Sequence, residues 1–231
     1  MSDVWIYHCS DVEEGARTAG ALFRRGAADR LDLLRHPRWV VTPTLAQGRW
    51  LRHLWLQEKG CLLNVRFMTP VVLRGELAAR LGLEAEPIGQ LEEELLFRGL
   101  VRPEEAESEF REALLRNPGM VLRVCGALRA AGWPADEVFG GQSFPGRLAR
   151  EFETLRGRET LPSRQETDRE LFRHAGGEGG SPAPGQEFEL LLYGFRASHW
   201  PDWFLLAAGA LLAARAHVFL ARPRVVAEEE G

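Results

Sequence analysis

The residues with the most useful chemistry follow two strand-like runs. Behind Trp39-Val-Val comes Thr42-Pro-Thr-Leu-Ala-Gln-Gly-Arg-Trp. This segment offers hydroxyls (Thr42, Thr44), an amide (Gln47), a guanidinium (Arg49) and an indole (Trp50). Hydroxyls and amides at a strand-to-helix turn can bond phosphate oxygens, and the positive end of the following helix adds to the attraction. An indole can stack on a base. Behind Phe188-Glu-Leu-Leu-Leu-Tyr-Gly-Phe comes Arg196-Ala-Ser-His-Trp, where Arg196 and Ser198 form a second phosphate-binding pair beside His199 and Trp200. A third run, His217-Val-Phe-Leu-Ala, ends on Arg222-Pro-Arg224, which could join a basic rim. The chemistry these groups suggest is gripping and stacking, not bond making.

Groups that make or break bonds are harder to assemble. The single lysine, Lys59, follows no Gly-rich loop, so a GxxxxGK[ST] phosphate grip is absent. Cys9, Cys61 and Cys125 are scattered, with no CxxC spacing, which argues against a zinc site or a disulfide framework. His8 and Cys9 are strand neighbours and point to opposite faces, so they cannot act as a nucleophile pair. Asp29 and Asp32 lack the strand and lysine that a restriction-type nuclease core requires. No catalytic residue, metal or cofactor is expected.

The elements around these groups alternate. Val4–His8 and Arg38–Thr42 read as strands, each followed by an amphipathic stretch, through about Arg25 in one case and Leu45–Glu58 in the other. Ser10 or Asp11 could cap the first helix. Leu62–Phe67 predicts a third strand and Pro70–Leu81 a helix. Alternation of this kind argues for a parallel sheet. From about Leu83 to His174 the chain turns Arg/Glu/Leu-rich with helical periodicity, broken by turns at Asn117-Pro-Gly and Gly132-Trp-Pro. Acidic runs such as Glu92-Glu-Glu94 read as solvated helix faces. Strand, helix and strand return at Phe188–Tyr193, Pro201–Ala214 and Ala216–Leu220. The expected organisation is an α/β domain over 1–82 and 188–231, an inserted helical subdomain over 83–175, and a Gly/Pro-rich linker over 176–187.

Composition narrows the class. Net charge is −4, hydrophobic residues make up 45% and charged residues 27%, the pattern of an ordinary soluble chain with no global signature of a nucleic-acid binder. Met-Ser-Asp-Val-Trp-Ile carries no basic or apolar signal region, and the longest apolar stretch, Trp203–Ala214, is too short to span a bilayer. A cytoplasmic protein with no membrane association is expected. The bare final strand and the acidic tail Val225-Val-Ala-Glu-Glu-Glu-Gly read as part of a longer chain.

Two blocks suggest a family. Thr42-Pro-Thr-Leu-Ala-Gln-Gly-Arg-Trp-Leu with the later Asn64-Val-Arg-Phe-Met-Thr-Pro resembles the N-terminal region of RecC, the exonuclease V gamma chain. Leu191-Leu-Tyr-Gly-Phe-Arg-Ala-Ser-His-Trp-Pro resembles a later strand of RecC and its AddB relatives, which look like inactivated superfamily I helicases. The resemblance implies a RecA-like, P-loop-helicase-like domain with a helical insertion. It places Val40-Val-Thr-Pro-Thr-Leu-Ala where UvrD-like helicases touch single-stranded DNA. It places Gly194 and Phe195 where they carry Asp-Glu for magnesium, and neither residue offers an anionic oxygen. His8, Cys9 and Asp11 replace the phosphate-loop residues, and Leu220-Ala-Arg-Pro-Arg lacks the γ-phosphate-sensing glutamine. The resemblance therefore implies a non-catalytic, single-stranded-DNA-binding scaffold in a RecBCD/AddAB-type helicase-nuclease for DNA repair and recombination. Its partners would be single-stranded or end-unwound DNA, a RecB/AddA-like subunit and a RecD-like one. The implied DNA contacts are Thr42, Thr44, Gln47, Arg49, Trp50, Arg196, Ser198, Arg222 and Arg224. Two alternatives stand beside this reading: an α/β protein-interaction module without DNA contact, and an enzyme of another class.

Overall fold

A computed structural model describes residues 3–9, 11–25, 36–59, 62–83, 87–101, 108–177 and 187–221. Arg222, Arg224, Cys61, Ser10, the Asp29/Asp32 pair and most of the Gly/Pro-rich linker lie outside the described residues. The chain forms two compact units, Met1–Leu83 with Leu171–Gly231, and Glu84–Glu170. No helix among the described residues is long and apolar enough to cross a membrane.

The first unit is α/β. Its strands are β1 (Asp3–Cys9), β2 (Arg38–Val41), β3 (Val65–Met68), β4 (Glu189–Phe195) and β5 (Arg215–Ala221). They form one sheet in the order β1-β5-β4-β2-β3, and every pairing is parallel. The central strands are buried on both faces, which is why Trp39-Val-Val and Leu190-Leu-Leu read as unbroken apolar runs. The third strand starts later than the sequence suggests. Asn64 sits at φ 51, a left-handed position that Asn tolerates, and its carbonyl accepts from the Arg38 N–H at 3.0 Å. Leu62 and Leu63 therefore belong to the approach, not the ladder.

Helix placement follows from the order of the strands. The steps β1→β2 and β2→β3 cross the sheet in one direction, while β3→β4 and β4→β5 cross in the other. Right-handed crossovers then send the helices to opposite faces. α1 (Val12–Arg25) and α2 (Leu45–Lys59) cover one face, with Ala16, Ala19, Leu51 and Trp55 on Val40, Leu191, Tyr193 and Phe219. α3 (Pro70–Leu81) and a later helix (Trp203–Leu212) cover the other, with Leu73, Leu77, Leu205 and Leu212 on Val41, Leu190, Leu192 and Ala216. α1 and α2 approach closely at Gly20. A β-carbon there would lie 2.6 Å from Trp55 Nε1, whose N–H donates to the Ala16 carbonyl at 2.8 Å. At the amino edge of the sheet, Arg38, Glu189 and Arg215 are neighbours in register. Glu189 forms ion pairs with both guanidiniums, at 3.3 Å to Arg38 Nε, and its charge offsets the burial of Arg38.

The second unit is helical: α4 (Gln90–Leu100), α5 (Ser108–Arg116), α6 (Pro118–Ala131), the short α7 (Ala135–Val138), α8 (Phe144–Arg158) and the first half of α9 (Arg164–Gly176). Phe97 and Phe152 meet edge to face at 5.8 Å over Leu114, Leu122 and Leu148. α9 is not punctuated internally in the sequence, and its second half belongs to the α/β unit, where Leu171 and Ala175 are buried. The boundary therefore falls inside a helix, not after it. The reading of Glu92–Glu94 as a solvated face also needs correction. Glu93 faces Arg129 at 3.6 Å, and burial raises its carboxyl above the usual range against the pull of that guanidinium. Arg156 links Glu153 and Glu166, at 2.7 and 2.9 Å.

Candidate nucleic-acid interface

β2 and β4 are adjacent, yet the chain leaves their carboxyl ends toward opposite faces of the sheet. α2 follows β2 on one side. A 3-10 turn (Ala197–Asp202) and then α10 (Trp203–Leu212) follow β4 on the other. Divergence of this kind makes a topological switch point, the place where open α/β sheets bind ligands.

The β2 side is built around a helix cap. Thr44 Oγ1 accepts from the Gln47 N–H at 3.2 Å and donates to Gln47 Oε1 at 3.4 Å. The Thr44 carbonyl accepts from the Gly48 N–H at 3.2 Å. Leu45 and Ala46 supply the remaining N–H groups of the first turn, which have no intrahelical acceptor by geometry. No acidic residue lies in that turn. The α2 end thus keeps its positive dipole end uncancelled. Arg49 and Trp50 follow on the outward side of α2, whose inward side is Gly48, Leu51 and Trp55. Thr42, expected to touch phosphate, does not: its side chain is buried and its hydroxyl donates to the Thr44 carbonyl at 3.0 Å. It holds the turn from inside.

The β4 side is shaped by Gly194. It sits at φ 82, and the ladder shifts register between Tyr193 and Phe195. This bulge turns Phe195 to the same face as Leu192 and presents the bare backbone of Gly194 outward. The Gln47 side chain fills that space, with Nε2 3.5 Å from where a β-carbon would stand. Gln47 therefore packs from the start of α2 against the end of β4. Beyond it, the Arg196 N–H donates to His199 Nδ1 at 3.0 Å, which places the ring proton on Nε2. The His199 ring meets Phe195 edge-on at 5.7 Å. Arg196 and Ser198 are exposed. Neither Arg49 nor Arg196 forms an ion pair with a carboxylate among the described residues.

The turn after β1 has the opposite character. Asp11 Oδ1 accepts from the Glu13 N–H at 2.6 Å and the Glu14 N–H at 3.3 Å, so a carboxylate of the chain itself occupies the α1 end. Glu13 and Glu14 add two more acids in that turn. Tyr193 donates its hydroxyl to the Val12 carbonyl and seals the turn against β4. Burial, with Cys9 and Asp11 adding to it, pushes that phenol up to about 12. His8 is exposed while Cys9 packs inward against α1, so the two do not meet. Burial and the nearby Glu14 raise the Cys9 thiol above its ordinary value.

The structure thus brings Thr44, Gln47, Gly194, Arg196 and Ser198 to one sheet edge. Arg49 and Trp50 stand on the helix that leaves it. Among the described residues no group of three or more His, Cys, Asp or Glu side chains could hold a metal ion. Sequence reasoning passed over Gly194 as a positioning residue and over Trp203. The Gly-Phe pair closing an apolar run was the available signal for the first, and the Trp200/Trp203 spacing for the second. No protein-family model matches the chain, and no curated protein matches it.

Proposed function

We propose that this chain is a non-catalytic, helicase-like domain that binds single-stranded DNA. It would serve as a scaffold in a RecC/AddB-type subunit of a helicase-nuclease acting at double-strand breaks. The observation that carries the reading is the contrast between the two helix ends. The α2 end has a neutral threonine cap, open N–H groups and an exposed arginine in the following turn. The α1 end, where a phosphate loop would stand, is filled by the Asp11 carboxylate and ringed by acids. An extended phosphodiester is attracted to the first, and a triphosphate is repelled from the second. Five parallel strands with helices on both faces suit a RecA-like domain. In this role the motor and nuclease chemistry belong to partner subunits of RecB/AddA-like and RecD-like kinds.

The test is binding of a fluorescent single-stranded oligonucleotide across a salt series. Each phosphate released from a guanidinium lowers the log–log salt slope by about 0.7 for a single strand. Arg49→Ala and Arg196→Ala are each expected to flatten the slope by that amount. Slopes unchanged in both variants, or no binding at low salt, would sink the reading. A second reading, a protein-interaction module without DNA contact, has one observation in its favour. Leu91 and Leu95 on α4, and Met120 and Val124 on α6, form exposed apolar pairs at helical spacing. The same titration separates the two.

A further inference from the structure

The chain has seven tryptophans, and five of them, Trp5, Trp50, Trp133, Trp200 and Trp203, are exposed. Of these, only Trp200 and Trp203 stand a single turn apart. Trp39 and Trp55 are buried in the two cores of the α/β unit. Trp200 and Trp203 are 41% and 45% exposed. Both stand on the segment that leaves β4 at the switch point of the sheet. They are one turn apart, and the Trp203 N–H donates to the Trp200 carbonyl, so the two rings emerge from the same side of the turn. Pro201 lies between them and fixes the backbone torsion there, which limits how far the pair can splay. Arg196 and Ser198, both exposed, precede them in the same short segment. His199 is held by the Arg196 N–H, so the segment is ordered without using the Arg196 guanidinium.

We propose that Trp200 and Trp203 form a stacking platform for unpaired bases of a single strand, with Arg196 and Ser198 holding the adjoining phosphate. The inference rests on the DNA-binding reading above and adds to it the part of the strand that is recognised. A row of aromatic faces beside a cation is the arrangement that binds single strands without sequence preference, since every base has a π-face. It also selects against duplex, whose bases already stack on one another. Asp202 lies between the two indoles, partly buried and without a side-chain bond to the helix end, and offsets Arg196 in net charge. The choice of a nucleic acid over an apolar peptide segment therefore rests on the exposed Arg196 guanidinium, which has no carboxylate partner among the described residues, set beside the aromatic faces. The platform serves as a base-reading counterpart to the phosphate-binding α2 end on the other side of the switch point.

The experiment compares fluorescein-labelled oligo(dT) with an abasic deoxyribose-phosphate strand of the same length, by anisotropy and by quenching of tryptophan emission. Oligo(dT) is expected to quench, and Trp200→Ala and Trp203→Ala are each expected to weaken it about tenfold with the salt slope unchanged. Trp200→Phe and Trp203→Phe, which keep an aromatic face, should retain most of the affinity. The abasic strand should bind more weakly and ignore all four substitutions. Both side chains are exposed, so thermal melts of the variants should match the parent and exclude misfolding. If oligo(dT) binds and the alanine variants bind within twofold of the parent, the platform is wrong while the polar-turn reading stands; the indoles then mark a protein-docking surface. If neither strand binds any version at low salt, both readings fall.

Discussion

Gly20 and Gly75 both sit inside helices of the α/β unit, and helix propensity alone predicts the same result for each: alanine should stabilise by about 0.5–1 kcal/mol. The structure separates them. A β-carbon at Gly75 meets nothing within 4 Å. A β-carbon at Gly20 would lie 2.6 Å from Trp55 Nε1, 2.9 Å from Cδ1 and 3.0 Å from Cε2. Trp55 is 1% exposed and tethered through Nε1 to the Ala16 carbonyl, so it cannot yield without losing that bond. Overpacking costs about 1–3 kcal/mol. Leaving the buried indole N–H unsatisfied costs about 1–3 kcal/mol more. Set against a gain of about 1 kcal/mol in propensity, Gly20→Ala should lose about 3 kcal/mol. Urea unfolding followed by tryptophan emission measures both variants. The thermal midpoint should fall by about 6–12 °C for Gly20→Ala and rise by about 2–4 °C for Gly75→Ala. A Gly20→Ala protein as stable as its parent would refute the close approach of α1 and α2, and with it the covering of that face.

Gly194→Ala should cost about 1–2 kcal/mol from backbone strain at φ 82, since the new β-carbon makes only ordinary contact with Gln47; chemical denaturation checks it, and a neutral result would remove the bulge from the site. Burial pushes the Glu166 carboxyl up, but hydrogen bonds from Arg156 and the Ser163 N–H together outweigh it and hold it at about 2, below an ordinary 4.5. Its contribution to stability is therefore present above about 4.5 and lost as pH falls from there toward 2. Because the side chain is half exposed, screening reduces the effect. Glu166→Gln should flatten the acid limb of a stability-versus-pH curve, and an unchanged limb would count against the Arg156 pairing. Ile6 is 60% exposed on the open edge strand β1. Ile6→Lys should leave unfolding within about 0.5 kcal/mol of the parent and reduce self-association in light scattering, and unchanged scattering would show that the edge is not a point of association.

Much of the fold was legible because the apolar runs are unambiguous. Trp39-Val-Val and Leu190-Leu-Leu, buried on both faces, could only be inner strands of a parallel sheet, and Pro70 opens α3 where a proline at the first helical position is expected. What the pattern could not carry was anything settled by a distant partner. Glu93 looks like its neighbours Glu92 and Glu94, and only the arrival of Arg129 from another helix draws it inward. α9 announces its start, with Pro162 and a Ser163/Glu166 capping box, but nothing inside it marks the point where it passes from one core to the other. Its first half and second half answer to different cores, so no single periodicity describes it. The sheet order was equally invisible, since sequence shows the strands but not that β4 lies between β5 and β2.

The candidate site shows the same division at the scale of single atoms. Thr42 and Thr44 are equivalent hydroxyls in the sequence, two residues apart. In the turn one faces inward to the other's carbonyl and the other faces out to cap α2. β2 ends at Val41, so the two-residue alternation that would point both hydroxyls the same way stops before them. Pro43, with its fixed φ, turns the chain between them. The same reasoning applies to the two helix ends. A strand, a polar turn and an amphipathic helix occur at both β1 and β2, and the pattern alone would assign both turns the same affinity for phosphate. The cap and the first helical turn decide otherwise. An aspartate at the α1 cap supplies the anion that the helix end calls for, while a threonine at the α2 cap satisfies one N–H and leaves the dipole unanswered. The cap residue acts together with Glu13 and Glu14 in the first turn of α1 and with the lack of any acid in the first turn of α2. The same local architecture thus has an end filled by an anion in one case and an end left positive in the other.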